Sequence, residues 1–251
     1  METVSLRSLA AAAASPRALR AILSGPPERT AAWVAAAAEN GIVDAQAVYG
    51  QVLLDGRGVP RDPAAALVWF RHAARADHPM AMNMLGRCYE FGWGTAACAT
   101  VAVYWYRLAA RAGLDWGMYN YATALALGNG VAEDRAGALA WFRRAAALGH
   151  AKSTNLIGGF YEDGWVVPAD RAAAFEHYRR AAEAGDFRGQ FNYARLLVER
   201  GRVDDALAWL ARVPDTATPA FVAKMRAYLA ASPVHALREA AAAFDRGAFV
   251  R

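Results

Sequence analysis

A 36-residue period runs through this chain, and it restricts the fold more than any other feature. Trp69-Phe70, Trp105-Tyr106, Trp141-Phe142 and His177-Tyr178 recur at that spacing. So do Gly56, Gly92, Gly128 and Gly164, and the pairs Ala73-Ala74, Ala109-Ala110, Ala145-Ala146 and Ala181-Ala182. Three independent columns sharing one period define repeats at 45–80, 81–116, 117–152 and 153–188. A fifth repeat, from 189 to about 213, is four residues shorter in its loop: Tyr193 and Trp209 lie 16 apart, where the matching spacing elsewhere is 20. A half-repeat precedes the array, because Trp33 lies 36 residues before Trp69 and Ala37-Ala38 precede Ala73-Ala74 by the same step.

Each column has a physical role. Ala81, Leu85, Gly86 and Tyr89 fall on one face at helical spacing. Gly50, Gly86, Ala122, Gly158 and Ala194 are always small, which lets a neighbour approach closely. Gly56-Arg57-Gly58, Gly92-Trp93-Gly94 and Gly128-Asn129-Gly130 end that helix and allow positive φ in the turn. Asp62, Asp134 and Asp170 stand where a second helix needs its N-cap. The second helix is expected to bury Ala66, Trp69, Phe70, Ala73 and Ala74 and their equivalents, and Gly113, Gly149 and Gly185 end it. A helix–turn–helix unit of this kind covers its apolar face only by stacking on its neighbours. The expected fold is therefore all-α, an α/α solenoid of about five repeats. Its expected organisation is an N-terminal helical cap and half-repeat over 1–44, repeats over 45–213 and a C-terminal helical cap over 214–251, in one continuous solenoid. Residues 3–24 read as one or two helices. Pro219–Ala231 and Pro233–Phe249 read as two more, with Ser232-Pro233 as N-cap and first turn.

The series Ala81…Leu85-Gly86…Tyr89…Gly92-x-Gly94…Ala102…Trp105-Tyr106…Ala109-Ala110…Gly113 resembles the Sel-one-like repeat (SLR) family, a relative of the tetratricopeptide repeats. The resemblance covers about 45–213. Departures are Asp77 for the terminal Gly in the first repeat, Cys98 for Asp in the second, and Val166 for the second Gly and His177 for Trp in the fourth. The fifth repeat, Gly201-Arg202-Val203-Asp204-Asp205-Ala206-Leu207, looks more like an ordinary tetratricopeptide repeat. The resemblance implies a non-enzymatic adaptor that binds a peptide or protein on a concave face. Some bacterial relatives act in the cell envelope. A subgroup of similar layout is encoded near iron-uptake receptors and Fe(II)/2-oxoglutarate dioxygenases, which would imply an accessory role in iron acquisition; no residue here carries that.

Composition excludes other classes. The longest apolar run, Ala31–Ala38, is eight residues, far short of the ~20 a membrane span needs. Glu2 and the short, weakly hydrophobic Leu9–Ala14 make a poor signal peptide, so a cytoplasmic setting is expected over a periplasmic or secreted one. Two cysteines rule out a disulfide-rich scaffold or a four-thiolate zinc site. Cys88 shares a column with Val52, Ala124, Phe160 and Leu196, so a buried thiol is expected, and Cys98 takes an N-cap column. No phosphate loop, nucleophile elbow, dinucleotide fingerprint or zincin motif occurs. His78 and His150 share a column but lie two repeats apart, and His177 is expected to be a core histidine with its polar nitrogen satisfied. No catalytic residue, metal site or cofactor is read, and the chain is not expected to be an enzyme. Arg71, Arg107, Arg143 and Arg179 form a periodic ladder without interleaved aromatics, read as a solvated outer face. Nucleic acid is not the expected partner.

The candidate binding residues lie on the first helices, in columns that vary between repeats. One column holds Ala47, Asn83, Tyr119, Asn155 and Phe191. Four residues on come Gln51, Arg87, Thr123, Gly159 and Arg195, and three further Leu54, Glu90, Ala126, Glu162 and Val198. These are i, i+4 and i+7, one helical stripe. The expected groove contacts are Asn83, Arg87, Glu90, Tyr119, Thr123, Asn155, Glu162, Phe191 and Arg195. Asn amides would hold a peptide backbone, Arg would take carboxylates and the aromatics would anchor an interface. A structural, self-associating module that forms a homodimer is the competing class.

Overall fold

The computed structural model describes residues 24–245. The helices read over 3–24 lie outside them up to residue 23, as does the end of the tail from residue 246. Among the described residues there are thirteen α-helices and no strand. They are α1 Pro27–Glu39, α2 Val43–Asp55, α3 Pro63–Arg75, α4 Pro79–Phe91, α5 Ala99–Arg111, α6 Asp115–Leu127, α7 Arg135–Ala147, α8 Ala151–Asp163, α9 Arg171–Glu183, α10 Phe187–Glu199, α11 Val203–Leu210, α12 Pro219–Ala230 and α13 His235–Asp245. A 3-10 turn, Val213–Asp215, follows α11. The helices fall into two compact units, one up to Asp134 and one from Arg135.

The first ten helices are each thirteen residues long because their ends are fixed chemically. Gly56, Gly92, Gly128 and Gly164 cap α2, α4, α6 and α8 in the left-handed region. The Asp62 carboxylate accepts Ala65 N–H at the start of α3, and Asp170 accepts Ala172 and Ala173 N–H at the start of α9. Cys98 does stand at the N-cap of α5, with no side-chain cap bond. His78, His150 and Asp186 cap α4, α8 and α10, so the shared histidine column is a helix-capping column.

The turns lock each pair. Asp62 N–H donates to Leu53 O, Cys98 N–H to Tyr89 O, Asp134 N–H to Leu125 O and Asp170 N–H to Tyr161 O, all at 2.7–2.9 Å. In the next column, a Cβ on Gly94 (φ +70°) would lie 2.2 Å from Pro63 O, so backbone packs directly on backbone there. The fourth repeat fills this place with Val166 at φ 53°.

The small column of the first helices receives a ring. Phe70 lies on Gly50, Tyr106 on Gly86 and Tyr178 on Gly158, where an added Cβ would come within 2.4–2.6 Å of the aromatic carbons. Gly117 and Gly189 form a second close contact, against the backbone at Ala109 and Ala181. Phe70, Ala73, Leu85, Cys88 and Ala109 belong to the core of the first unit. The core of the second is built on Tyr178, Leu196, Leu197, Leu210 and Met225. The tryptophan column is not buried as expected: Trp69, Trp105 and Trp141 are half-exposed, because the residue behind each of them takes the interior. Trp69 instead rests edge-on against Tyr49.

Three residues separate α10 from α11, against seven between α2 and α3, which is the shortened fifth loop. The last helix starts later than expected. Ser232 Oγ accepts Val234 N–H, while Val234 O accepts from Leu237 and Arg238, so α13 begins at His235.

Candidate partner-binding surface

The first-helix face of the first unit carries an apolar stripe. Val48 on α2, Met80 and Phe91 on α4, and Trp116 and Leu127 on α6 are all exposed, Phe91 at 55 % and Leu127 at 71 %. Isolated exposed apolar residues are ordinary, but Met80 matches Trp116 and Phe91 matches Leu127 one repeat apart, with Val48 beside Met80 at the pocket, and such a group marks an interaction surface. Between α2 and α4 the face opens into a pocket of about 370 Å³ lined by Asp44, Val48, Gln51, Asp55, His78, Met80 and Met84, among others. Its rim is polar: Asp44 Oδ1 lies 3.2 Å from His78 Nε2, and Gln51 donates to Asp55 at 2.8 Å.

Of the expected groove residues, Arg87 and Thr123 lie on this face. The Arg87 guanidinium sits 4.9 Å from the Trp93 ring and 6.0 Å from Phe91. Thr123 Oγ1 donates to Tyr119 O, and half-buried Tyr119 stands edge-on to Trp116. Glu90 accepts Tyr106 Oη at 2.5 Å and remains exposed.

Three expectations change. Asn83 and Asn155 are buried, at 4 % and 6 % exposure, and their amide oxygens accept from Asn120 and Asn192. These two side chains turn inward, so they bridge consecutive repeats and do not face an incoming peptide. Phe191 is half-buried and packs edge-on against Phe221 and Tyr228 of α12. Arg195 is already paired: its Nη2 lies 2.5 Å from Glu162 Oε2, which also accepts Tyr178 Oη at 2.8 Å. Burial raises the Glu162 pKa, but the hydrogen bonds from Arg195 and Tyr178 outweigh it and the carboxyl is held below its ordinary value. Burial, then the bond to Glu162, pushes the Tyr178 phenol up.

The columns the sequence reading missed flank the one it shared. They are Asp44, Met80, Trp116, Lys152 and Arg188, and Asp55, Phe91, Leu127, Asp163 and Glu199. They are acidic in α2, apolar in α4 and α6, and charged in the second unit.

A second pattern spans two repeats. Asn83, Tyr89, Glu90, Trp93, Tyr106 and Asn120 recur 72 residues later as Asn155, Tyr161, Glu162, Trp165, Tyr178 and Asn192. The arginine ladder follows it. Arg71 donates to Tyr89 Oη at 2.8 Å and Arg143 to Tyr161 Oη at 3.0 Å. The alternate repeats put Leu125 and Leu197 in the tyrosine column. There Arg107 Nε is buried without a hydrogen-bond partner, and Arg179 pairs with Glu176 and Glu183 instead. Three of the four ladder arginines thus make defined side-chain bonds.

Other reactive groups are individually placed. Cys88 is buried and free, and burial raises its thiol pKa to about 11; Cys98 is free and exposed. His177 stacks on Tyr161 at 5.5 Å with a buried, unpartnered Nδ1, so the expected satisfied nitrogen is not found. Among the described residues no cluster of three or more His, Cys, Asp or Glu could hold a metal ion. None of the described helices is long and apolar enough to cross a membrane.

Repeated helix pairs with an apolar, pocketed first-helix face define an α-solenoid repeat protein. The family model described as Sel1 repeat matches residues 43–78, 79–114, 117–150 and 151–186, more than half of the chain, and the chain belongs to the Sel1 repeat family. Proteins of this family generally mediate protein–protein interactions, typically as non-enzymatic scaffolds. A Sel1 repeat protein from Oxalobacter formigenes shares 25 % identity, with 84 % of this chain and 85 % of that one covered and a TM-score of 0.75. A protective antigen of uropathogenic Escherichia coli strains, displaying an SLR fold, shares 28 % identity over 86 % of this chain at a TM-score of 0.71. This chain spans about half, 49 %, of that antigen's length. An immunity protein from Pseudomonas aeruginosa, at 19 % identity, coverage of 91 % and 86 % and a TM-score of 0.53, shares the fold alone. No curated protein matches the sequence.

Proposed function

We propose that this protein is a non-enzymatic adaptor that binds an apolar peptide segment of a protein partner along α2, α4 and α6. The exposed row Val48, Met80, Phe91, Trp116 and Leu127 beside the 370 Å³ pocket carries this reading. Large side chains next to a pocket with a polar rim have the composition of an interface centre. The division into end caps and central repeats belongs to the same proposal. So does a cytoplasmic setting, which suits the exposed free thiol of Cys98.

The test is partner capture by wild type, by Val48→Ser/Met80→Ser/Phe91→Ser and by Val68→Ser/Tyr104→Ser. Val68 and Tyr104 are exposed apolar residues on the second helices α3 and α5. Capture is expected to fall at least about tenfold in the first variant and to persist in the second, with both thermal midpoints close to wild type. Equal capture by all three would remove the face from consideration. Light scattering over a range of concentrations separates the self-association alternative, which requires a mass that rises with concentration.

A further inference from the structure

Two repeats carry the same carboxylate–tyrosine pair, and one of them has its cation built in. In the second unit Glu162 accepts from Tyr178 and from Arg195, and Arg195 also lies 3.5 Å from Glu199, which pairs with Arg171. Seventy-two residues earlier Glu90 accepts from Tyr106 in the same way, but Thr123 stands in the place of Arg195, Ala99 in that of Arg171 and Leu127 in that of Glu199. The shorter side chains leave a cavity of about 60 Å³ lined by Glu90, Tyr106, Asn120, Thr123 and Leu127, among others. That is several times the ~10–15 Å³ one water requires. Among the described residues no basic group lies within ion-pair distance of Glu90. Arg87 is held on Trp93, Asn120 Nδ2 is taken by Asn83, and Thr123 Oγ1 is taken by its own helix.

We infer that this cavity is a subsite for an arginine side chain of the partner, the guanidinium taking the place that Arg195 fills in the internal copy. The carboxylate and the tyrosine oxygen are fixed in advance by their mutual bond, as they are around Arg195. A planar guanidinium suits a carboxylate better than a compact ammonium, because it offers paired donors. The exposed wall of Leu127 takes the aliphatic stem. The inference rests on the protein-binding proposal and names a residue the bound segment must present.

The test is an NMR titration with acetyl-Gly-Arg-Gly-amide and its citrulline counterpart, which keeps the shape and loses the charge. In wild type the arginine peptide is expected to shift the Asn120 side-chain amide saturably, with citrulline at least about tenfold weaker. Glu90→Gln and Thr123→Arg are expected to lose the response. Thr123→Arg rebuilds the internal pair, so its thermal midpoint should match or exceed wild type, which separates loss of binding from loss of fold. No saturable shift in wild type, an undiminished shift in Thr123→Arg, or an equal response to citrulline would each overturn the inference. The capture variants spare every residue lining this cavity, so the subsite and the apolar face can fail separately.

Discussion

Asn120 donates its side-chain amide to Asn83 across 2.8 Å, and Asn192 makes the same bond to Asn155 across 2.9 Å. Each bond joins the first helices of consecutive repeats, in a partly buried place where an unpaired amide costs about 1–3 kcal/mol. Asn83→Ala is therefore expected to destabilise the chain by about that amount in urea unfolding. Adding Asn120→Ala should cost less than the sum, because the second change removes the group the first left unpaired. Additive losses would show that the two amides do not act as a pair.

Gly94 and Gly113 both have positive φ but differ in what surrounds them. Nothing lies within 4 Å of a Cβ built on Gly113, whereas one on Gly94 meets the Pro63 carbonyl at 2.2 Å. Gly113→Ala should cost about 1–2 kcal/mol, the strain of the backbone alone. Gly94→Ala adds displacement of a neighbouring backbone and should cost about 2–5 kcal/mol. Equal losses would mean that the turn does not pack on the helix start as described.

The two thiols should separate cleanly in a labelling experiment. Only the thiolate reacts, and Cys88 is both buried and pushed up to about 11. One thiol, Cys98, is expected to react with a water-soluble disulfide reagent in native protein at pH 8, and two after unfolding. Fast reaction of Cys98→Ser protein would contradict the burial of Cys88.

His177 gives the fold a pH dependence. Burial first, then the charges of Arg180 and Arg143, favour its neutral ring and lower its pKa. An unfolded histidine titrates near ~6.5, so below that value the unfolded chain binds more protons. The contribution to stability is complete above ~6.5 and is lost as pH falls toward the depressed folded value. His177→Phe should lose less stability than wild type between pH 7.5 and 5. Parallel pH profiles would show that the ring is not the responsive group.

The fold was legible because its determinants repeat. A column such as Gly56, Gly92, Gly128 and Gly164 reports a backbone need that one glycine could not. The binding face was only half legible. Column arithmetic shows which positions vary, but not which way their side chains lean. Asn83 and Tyr119 share a column, yet Asn83 turns inward to meet Asn120 while Tyr119 stays half-exposed beside Trp116. In the sequence Arg195 reads as free to bind foreign carboxylates, because Glu162, its partner, lies 33 residues away in another repeat. The signal that could have found both was the 72-residue alternation, in which Asn, Glu and Tyr recur together in every second repeat.

The proposed seat of the partner is the first-helix face of α2, α4 and α6. A benzoyl-phenylalanine photo-crosslinker placed at Met80, Trp116, Val68 or Tyr104 in the host cell tests it most directly. All four positions are exposed, so none requires a change in the core. The expected result is one common crosslinked partner from Met80 and Trp116 and none from Val68 and Tyr104. A partner crosslinked from Val68 and Tyr104 alone, or equally from all four, would contradict the account.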